Sequence, residues 1–244
     1  MNPLMLLARH LSRAGLLFQA LLVLSSSLAY AQPEEEPFST AGDGRLLTTE
    51  SADVIAHPVL GLQRSAVPLV GGLALDTSLY ADVFLAPNLG LRWAAEAGRH
   101  RFVVGARYTH FVGASVYSSF LTSREPALMR FEPSLTGPTA YATYGLVLGT
   151  LTVQAEARYA HYESDYLSVT GAAALRLTQT WTVIAEAGTR LMGGSSFRAA
   201  AGARYGGEHL GLALGAAYVA IDDPVFPGGG FSVLPVVDLS WTFR

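Results

Sequence analysis

The 244-residue sequence predicts an all-β protein, an antiparallel up-and-down β-barrel of about ten strands (roughly eight to twelve) that crosses a membrane. Three observations carry this prediction. Apolar and polar residues alternate with a period of two through one segment after another. Charged residues make up only 14% of the chain, against roughly 25% in soluble domains, so a water-facing surface would be hard to cover. Tight turns also recur at every second connection along the chain.

Composition narrows the function classes. All 16 basic residues are arginine and the net charge is −3, so the basic face that nucleic acid requires is missing. There is no cysteine, which excludes thiol catalysis, disulfides, Cys-ligated metals and a lipid-modified N-terminal cysteine.

Met1–Ala31 reads as a secretory signal peptide. Arg9, His10 and Arg13 supply the positive start, Ala14–Leu28 the apolar stretch, and Ala29-Tyr30-Ala31 the A-x-A cleavage signal before Gln32. The apolar stretch is shorter than the about 20 residues a spanning helix needs, which argues against an N-terminal anchor. Gln32-Pro33-Glu34-Glu35-Glu36-Pro37 opens a polar run that is expected to be a solvated periplasmic linker over 32–65. The barrel is then expected over 66–244.

Within that span the two faces separate cleanly. Leu89, Leu91, Trp93, Ala95 and Ala97 alternate with Gly90, Arg92, Ala94 and Glu96. Phe102, Val104, Ala106 and Tyr108 alternate with Val103, Gly105 and Arg107. Leu151, Val153, Ala155, Ala157 and Tyr159 alternate with Thr152, Gln154, Glu156 and Arg158. Trp181, Val183, Ala185 and Ala187 alternate with Thr182, Ile184, Glu186 and Gly188, and the pattern continues through 231–243. Alternate side chains of a strand point to opposite sides, so each segment has one apolar and one polar face.

The spacing predicts strands near 66–76, 88–97, 101–112, 137–148, 150–162, 166–177, 180–191, 196–205, 209–220 and 230–243. Turns at Gly98-Arg99-His100, Gly149-Thr150, Thr178-Gln179-Thr180 and Gly206-Gly207-Glu208 then share one side. The intervening connections, long over 77–87, 113–136 and 221–229 and shorter over 163–165 and 192–195, share the other. Outer-membrane-type barrels have this asymmetry, and both termini come out periplasmic. Pro68 and Gly71-Gly72 make the first strand the weakest.

The charged face carries Arg92, Arg107, Arg158, Arg176, Arg190, Arg198 and Arg204 with Asp76, Glu96, Glu156, Glu186 and Asp238. The other face carries almost no charge and gathers aromatics near strand ends, among them Phe102, Tyr108, Tyr144, Tyr159, Trp181, Tyr205, Tyr218 and Trp241. Such aromatics suit the two interfacial girdles of a membrane barrel, whereas a soluble sandwich has no use for them.

The last residues, Leu239-Ser240-Trp241-Thr242-Phe243-Arg244, form an alternating strand that ends in an aromatic. This segment resembles the terminal signature of bacterial outer-membrane β-barrel proteins. In that family the aromatic is usually the final residue, whereas Arg244 follows it here. The resemblance covers the architecture of 66–244 and singles out no subfamily. It implies a Gram-negative outer-membrane location, surrounding lipid as a partner, and recognition by the barrel-assembly machinery.

Two function classes remain open. In one, the inward arginines and carboxylates pair into a network filling a narrow lumen, and the protein is a non-enzymatic barrel: structural, adhesive or a small passive pore. Gly90, Ala94, Gly105 and Gly202 are then expected to leave room for long arginine side chains. In the other, His161, Glu163, Asp165, Asp222 and Asp223 gather at the outer rim as a hydrolytic site acting on lipid or peptide. Ten-stranded outer-membrane proteases resembling the omptins keep Asp and His pairs at such a rim. His161, Asp165 and Asp222 within hydrogen-bond reach would favour that second class. No catalytic, cofactor or metal residues are assigned: G-x-S-x-G, H-E-x-x-H, EF-hand and phosphate-loop spacings do not occur.

Overall fold

A computed structural model describes residues 45–83, 86–112, 136–162, 164–192, 197–219 and 233–244. The expected signal peptide and residues 32–44 of the expected linker lie outside them. The described strands are β1 (Val59–Gly61), β2 (Ser65–Pro68), β3 (Leu73–Thr77), β4 (Asn88–Ala97), β5 (His100–Thr109) and β6 (Gly137–Leu148). They continue as β7 (Leu151–His161), β8 (Asp165–Arg176), β9 (Trp181–Met192), β10 (Phe197–Gly206), β11 (Leu210–Val219) and β12 (Val233–Thr242). A single turn of helix, α1 (Leu79–Val83), follows β3. Each strand lies beside its sequence neighbours, and β1 pairs with β12 to close the barrel.

Twelve strands stand at the top of the expected range, and the two additions have local causes. The segment expected as one strand over 66–76 folds back on itself. Gly71 and Gly72 both take positive φ, 62° and 79°, a conformation that bends the chain and that only glycine adopts freely. Leu69 N–H then donates to Leu73 O at 2.8 Å, and β2 and β3 form a hairpin. The other addition, β1, comes from within the span expected to be linker. Its Val59, Leu60 and Gly61 lie opposite Thr242, Trp241 and Ser240.

Face alternation follows the sequence pattern throughout the long strands. In β7, Thr152, Gln154, Glu156 and Ala160 are buried toward the lumen while Ala155, Ala157, Tyr159 and His161 are exposed outside. In β9, Thr182, Ile184 and Glu186 are buried and Trp181, Val183, Ala185 and Ala187 are exposed. The outer wall is therefore apolar, with Leu75, Leu91, Val169, Leu175, Leu214 and Leu239 among its exposed residues. Aromatics ring both ends. Trp181 packs edge-on to Tyr205 and Phe102 tilts against Tyr144 on the tight-turn side, while Phe197 approaches Tyr218 on the other. An apolar band between aromatic girdles, around a closed wall that leaves no edge unpaired, is the architecture of an outer-membrane β-barrel. No helix among the described residues is long and apolar enough to cross a membrane.

The tight turns use local chemistry. Gly149, at φ 63°, turns β6 into β7. Between β8 and β9 the Thr178 hydroxyl accepts the N–H of Trp181 at 3.0 Å, closing the turn without glycine.

Candidate functional site in the lumen

The lumen is occupied by the chain itself. Residues 45–55, expected to be solvated linker, are instead buried inside the barrel: Leu46, Leu47, Thr49, Glu50, Ser51, Ala52, Asp53 and Ile55 are almost fully covered. The composition explains the difference. Arg45–Ile55 mixes aliphatic, hydroxyl and acidic side chains, unlike the acidic, proline-flanked run at 33–37. It therefore has apolar surface to bury and carboxylates to offer an arginine-lined wall.

The segment begins as a tight loop. Arg45 bridges to Glu50, Leu46 N–H donates to Thr49 O at 3.0 Å, and the Arg45 guanidinium donates to Thr48 O at 3.1 Å. This curl aims consecutive backbone N–H groups at one point, where the Glu186 carboxylate of β9 sits. Leu47 N–H donates to it at 2.8 Å and Thr48 N–H at 2.9 Å. Thr49 contributes its N–H at 3.4 Å and its hydroxyl at 3.1 Å, and the Thr48 hydroxyl also donates. Converging N–H groups form a concavity suited to an anion, and here a wall carboxylate fills it.

Further along, β7 reads the backbone. Gln154 donates to Glu50 O at 2.7 Å and accepts from Ala52 N–H at 3.3 Å, while Glu156 accepts from Glu50 N–H at 2.7 Å. Arg92 of β4 donates to Ser51 O at 3.0 Å and Asp53 O at 2.8 Å. From β10, Arg204 donates to Leu46 O at 2.9 Å.

The acidic side chains of the segment enter ion pairs. Glu50 pairs with Arg64, and at 3.4 Å with Arg158, which also holds Glu156 at 2.9 Å. Arg64 reaches Asp76 at 3.5 Å, and Arg107 pairs with the same carboxylate at 2.6 Å. Asp53 pairs with Arg101. Burial alone would raise the Glu50 carboxyl, but Arg64, Arg45, Arg107 and Arg158 together hold it well below the ordinary glutamate range. Burial likewise opposes the charge on Arg64, and Glu50 and Asp76 outweigh it and raise this guanidinium further.

Apolar contacts complete the fit. Leu46 and Leu47 lie in a cluster with Ala172, Ala174, Ile184, Ala200 and Val236, and Ala52 with Ala94, Val103 and Tyr141. The small inward residues thus serve several purposes besides housing arginine. A side chain at Gly145 would come within 2.9 Å of Ala52 Cβ. One at Gly105 would strike the Tyr141 ring, and one at Gly90 the Asp76 carboxylate that holds Arg107. One at Gly202 would strike the Leu214 backbone.

Glu156 and Arg158 pair as the face pattern predicts. Two lumen arginines, Arg64 and Arg101, are additional to the seven read from the sequence. Glu186, expected opposite arginine, takes backbone amides instead.

At the rim, His161 Nδ1 lies 2.6 Å from Asp165 Oδ1, and Tyr159 donates to the same oxygen at 2.6 Å. The His161 and Asp165 side chains are 54% and 50% exposed, and Tyr159 and His161 are on the outward face of β7. Glu163, Asp222 and Asp223 lie outside the described residues.

No protein-family model matches the sequence. No curated protein matches it either. Among solved structures, it is similar to outer-membrane-expressed OmpT of Vibrio cholerae, with 9% identity and a TM-score of 0.40. That match covers 74% of this chain and 64% of the other, so the chain spans less than two thirds of that protein's length. The trimer form of in-vitro folded OmpT, an outer membrane protein of Vibrio cholerae, matches with 11% identity and a TM-score of 0.40, covering 90% and 74%. Likenesses this distant carry no argument about function. The barrel architecture rests on the strand order and the two faces of the wall.

Proposed function

We propose that the protein is a non-enzymatic outer-membrane barrel whose lumen is closed by its own N-terminal segment, with a structural or adhesive role in the cell envelope. The observation that carries this reading is the Glu186 carboxylate held by the amides of residues 47–49. It fixes a buried loop across the lumen, in a wall where Arg64, Arg92, Glu156, Thr170 and Ile184 are all shielded from solvent. A water-filled pore would leave such inward residues wet. On this reading the C-terminal strand addresses the chain to the assembly machinery, and lipid contacts the apolar wall.

The alternative of a hydrolase at the rim has less support. The His161–Asp165 pair is half exposed on the outward face, where water is not excluded and charge effects are weak. The deciding experiment is single-channel recording on full-length refolded protein in planar bilayers. Silent membranes in the presence of folded protein are expected. Steady conductance steps in wild type would replace the closed-barrel reading with that of a small passive pore.

A further inference from the structure

The lumen wall is unequal in charge. Among the described residues it presents nine arginines (Arg64, Arg92, Arg101, Arg107, Arg158, Arg176, Arg190, Arg198 and Arg204) and five carboxylates (Asp76, Glu96, Glu156, Glu186 and Asp238). Residues 45–55 bring one further arginine, Arg45, and two more carboxylates, Glu50 to Arg64 and Arg158 and Asp53 to Arg101. Between those two ion pairs, Arg92 grips the carbonyls of Ser51 and Asp53. The segment thus behaves as a tethered ligand whose two carboxylates are met by arginines, side chains that favour planar oxyanions.

We infer that Arg64, Arg92, Arg101, Arg107 and Arg158 form a binding site for small anions carrying more than one carboxylate. The chain's own Glu50 and Asp53 fill it in the closed state, and it is vacated when residues 45–55 leave the lumen. This rests on the closed-barrel reading and adds to it the chemistry of what the opened lumen accepts. The opened wall carries a surplus of positive charge in a narrow, low-dielectric passage, which concentrates anions and repels cations. The arginines from several strands would then hold a polycarboxylate where Glu50 and Asp53 lay.

The test uses full-length protein with residues 46–53 replaced by a glycine-serine stretch of the same length, its folding checked by heat-modifiable gel mobility. Recorded in a potassium chloride gradient, this variant is expected to conduct with a chloride-over-potassium permeability ratio of about 5 or more. Citrate is expected to reduce that current at lower concentration than phosphate. In the same background, Arg64→Ala with Arg101→Ala should abolish the citrate effect and lower the chloride-over-potassium ratio. Cation-selective or unselective current, or a current indifferent to citrate, would overturn the inference while leaving the closed barrel standing. Steady wild-type conductance would strike the closed-barrel reading itself.

If the replaced segment prevents folding, Asp53→Ala gives an independent reading. It empties one carboxylate position beside Arg101 while the rest of the segment stays. Acetate at constant ionic strength should then raise its unfolding midpoint and leave wild type unmoved. A midpoint indifferent to acetate overturns the inference.

Discussion

Glu186 in the lumen and Asp165 at the rim are both carboxylates that gather several donors at short range. Glu186 takes backbone N–H groups and hydroxyls from a loop far away in sequence and is 3% exposed. Asp165 takes Tyr159 and His161, six and four residues away, with half of its side chain in solvent. Water can replace every partner of Asp165 at little cost. It is kept from Leu47 and Thr49, which are almost fully buried, so losing the Glu186 carboxylate leaves buried donors unsatisfied. The same local geometry thus organises the molecule in one place and decorates it in the other.

The largest expected effect comes from cutting the interior cluster. Glu186→Ala should lower the unfolding free energy by on the order of 3 kcal/mol, since each orphaned buried donor costs about 1–3 kcal/mol. Urea titration in lipid vesicles followed by tryptophan fluorescence measures it, and an unchanged midpoint breaks the contrast. Glu156→Ala should cost less than the about 3–5 kcal/mol of a fully stranded pair, because Arg158 keeps Glu50 at 3.4 Å.

The outer wall sharpens the comparison from the other side. Ala185 is exposed on the apolar face of β9, so Ala185→Arg should cost about 2–4 kcal/mol if it lies near the bilayer midplane. Ala185→Leu should fold as wild type does. Equal yields for the two variants in vesicle refolding would contradict the face assignment.

Acid provides a graded version. Glu50 is held below its ordinary range in the folded state, so the stability it contributes is complete above the unfolded value of about 4.3 and is lost as pH falls below it. The unfolding midpoint should therefore decline steadily as the pH falls below about 5, and Glu50→Gln should flatten part of that decline. A Glu50→Gln profile parallel to wild type would remove Glu50 from the account. The smallest effect belongs to the rim: His161→Ala and Asp165→Ala should leave the midpoint within experimental error.

The sequence made the wall legible because period-two alternation survives wherever one face meets lipid and the other meets charge. Thr182 to Ala187 and Leu151 to Tyr159 fall on the faces their pattern assigns. The short strands were less legible. β1 has three residues, too few for any period to show, and the Gly71-Gly72 hairpin sits inside what reads as one weak strand. The lumen segment was hidden for another reason. Its burial depends on Glu186, Glu156 and Arg92, which lie far along the chain, and Arg45–Ile55 has no periodicity of its own. One signal was present: the inward arginines outnumber the inward acids, and Glu50 and Asp53 are the carboxylates that such a wall attracts. The rim pair was legible as a pair because His161 and Asp165 flank a short turn. Whether Asp222 joins them lies outside the described residues.

The seam between β1 and β12 bears on the order in which the barrel comes together. It joins the first strand to the last through three residue pairs, Val59–Thr242, Leu60–Trp241 and Gly61–Ser240, so nearly the whole barrel must be gathered before the seam rewards anything. Residues 45–55 lie immediately upstream and contact β4, β5, β7, β9 and β10, with 139 residues separating Leu47 from Glu186. A loop seated among those strands while the sheet is still open tethers β1 close to where β12 will arrive. That shortens the search for the final pairing. A chain deprived of residues 45–55 should therefore close more slowly even where the finished wall is sound.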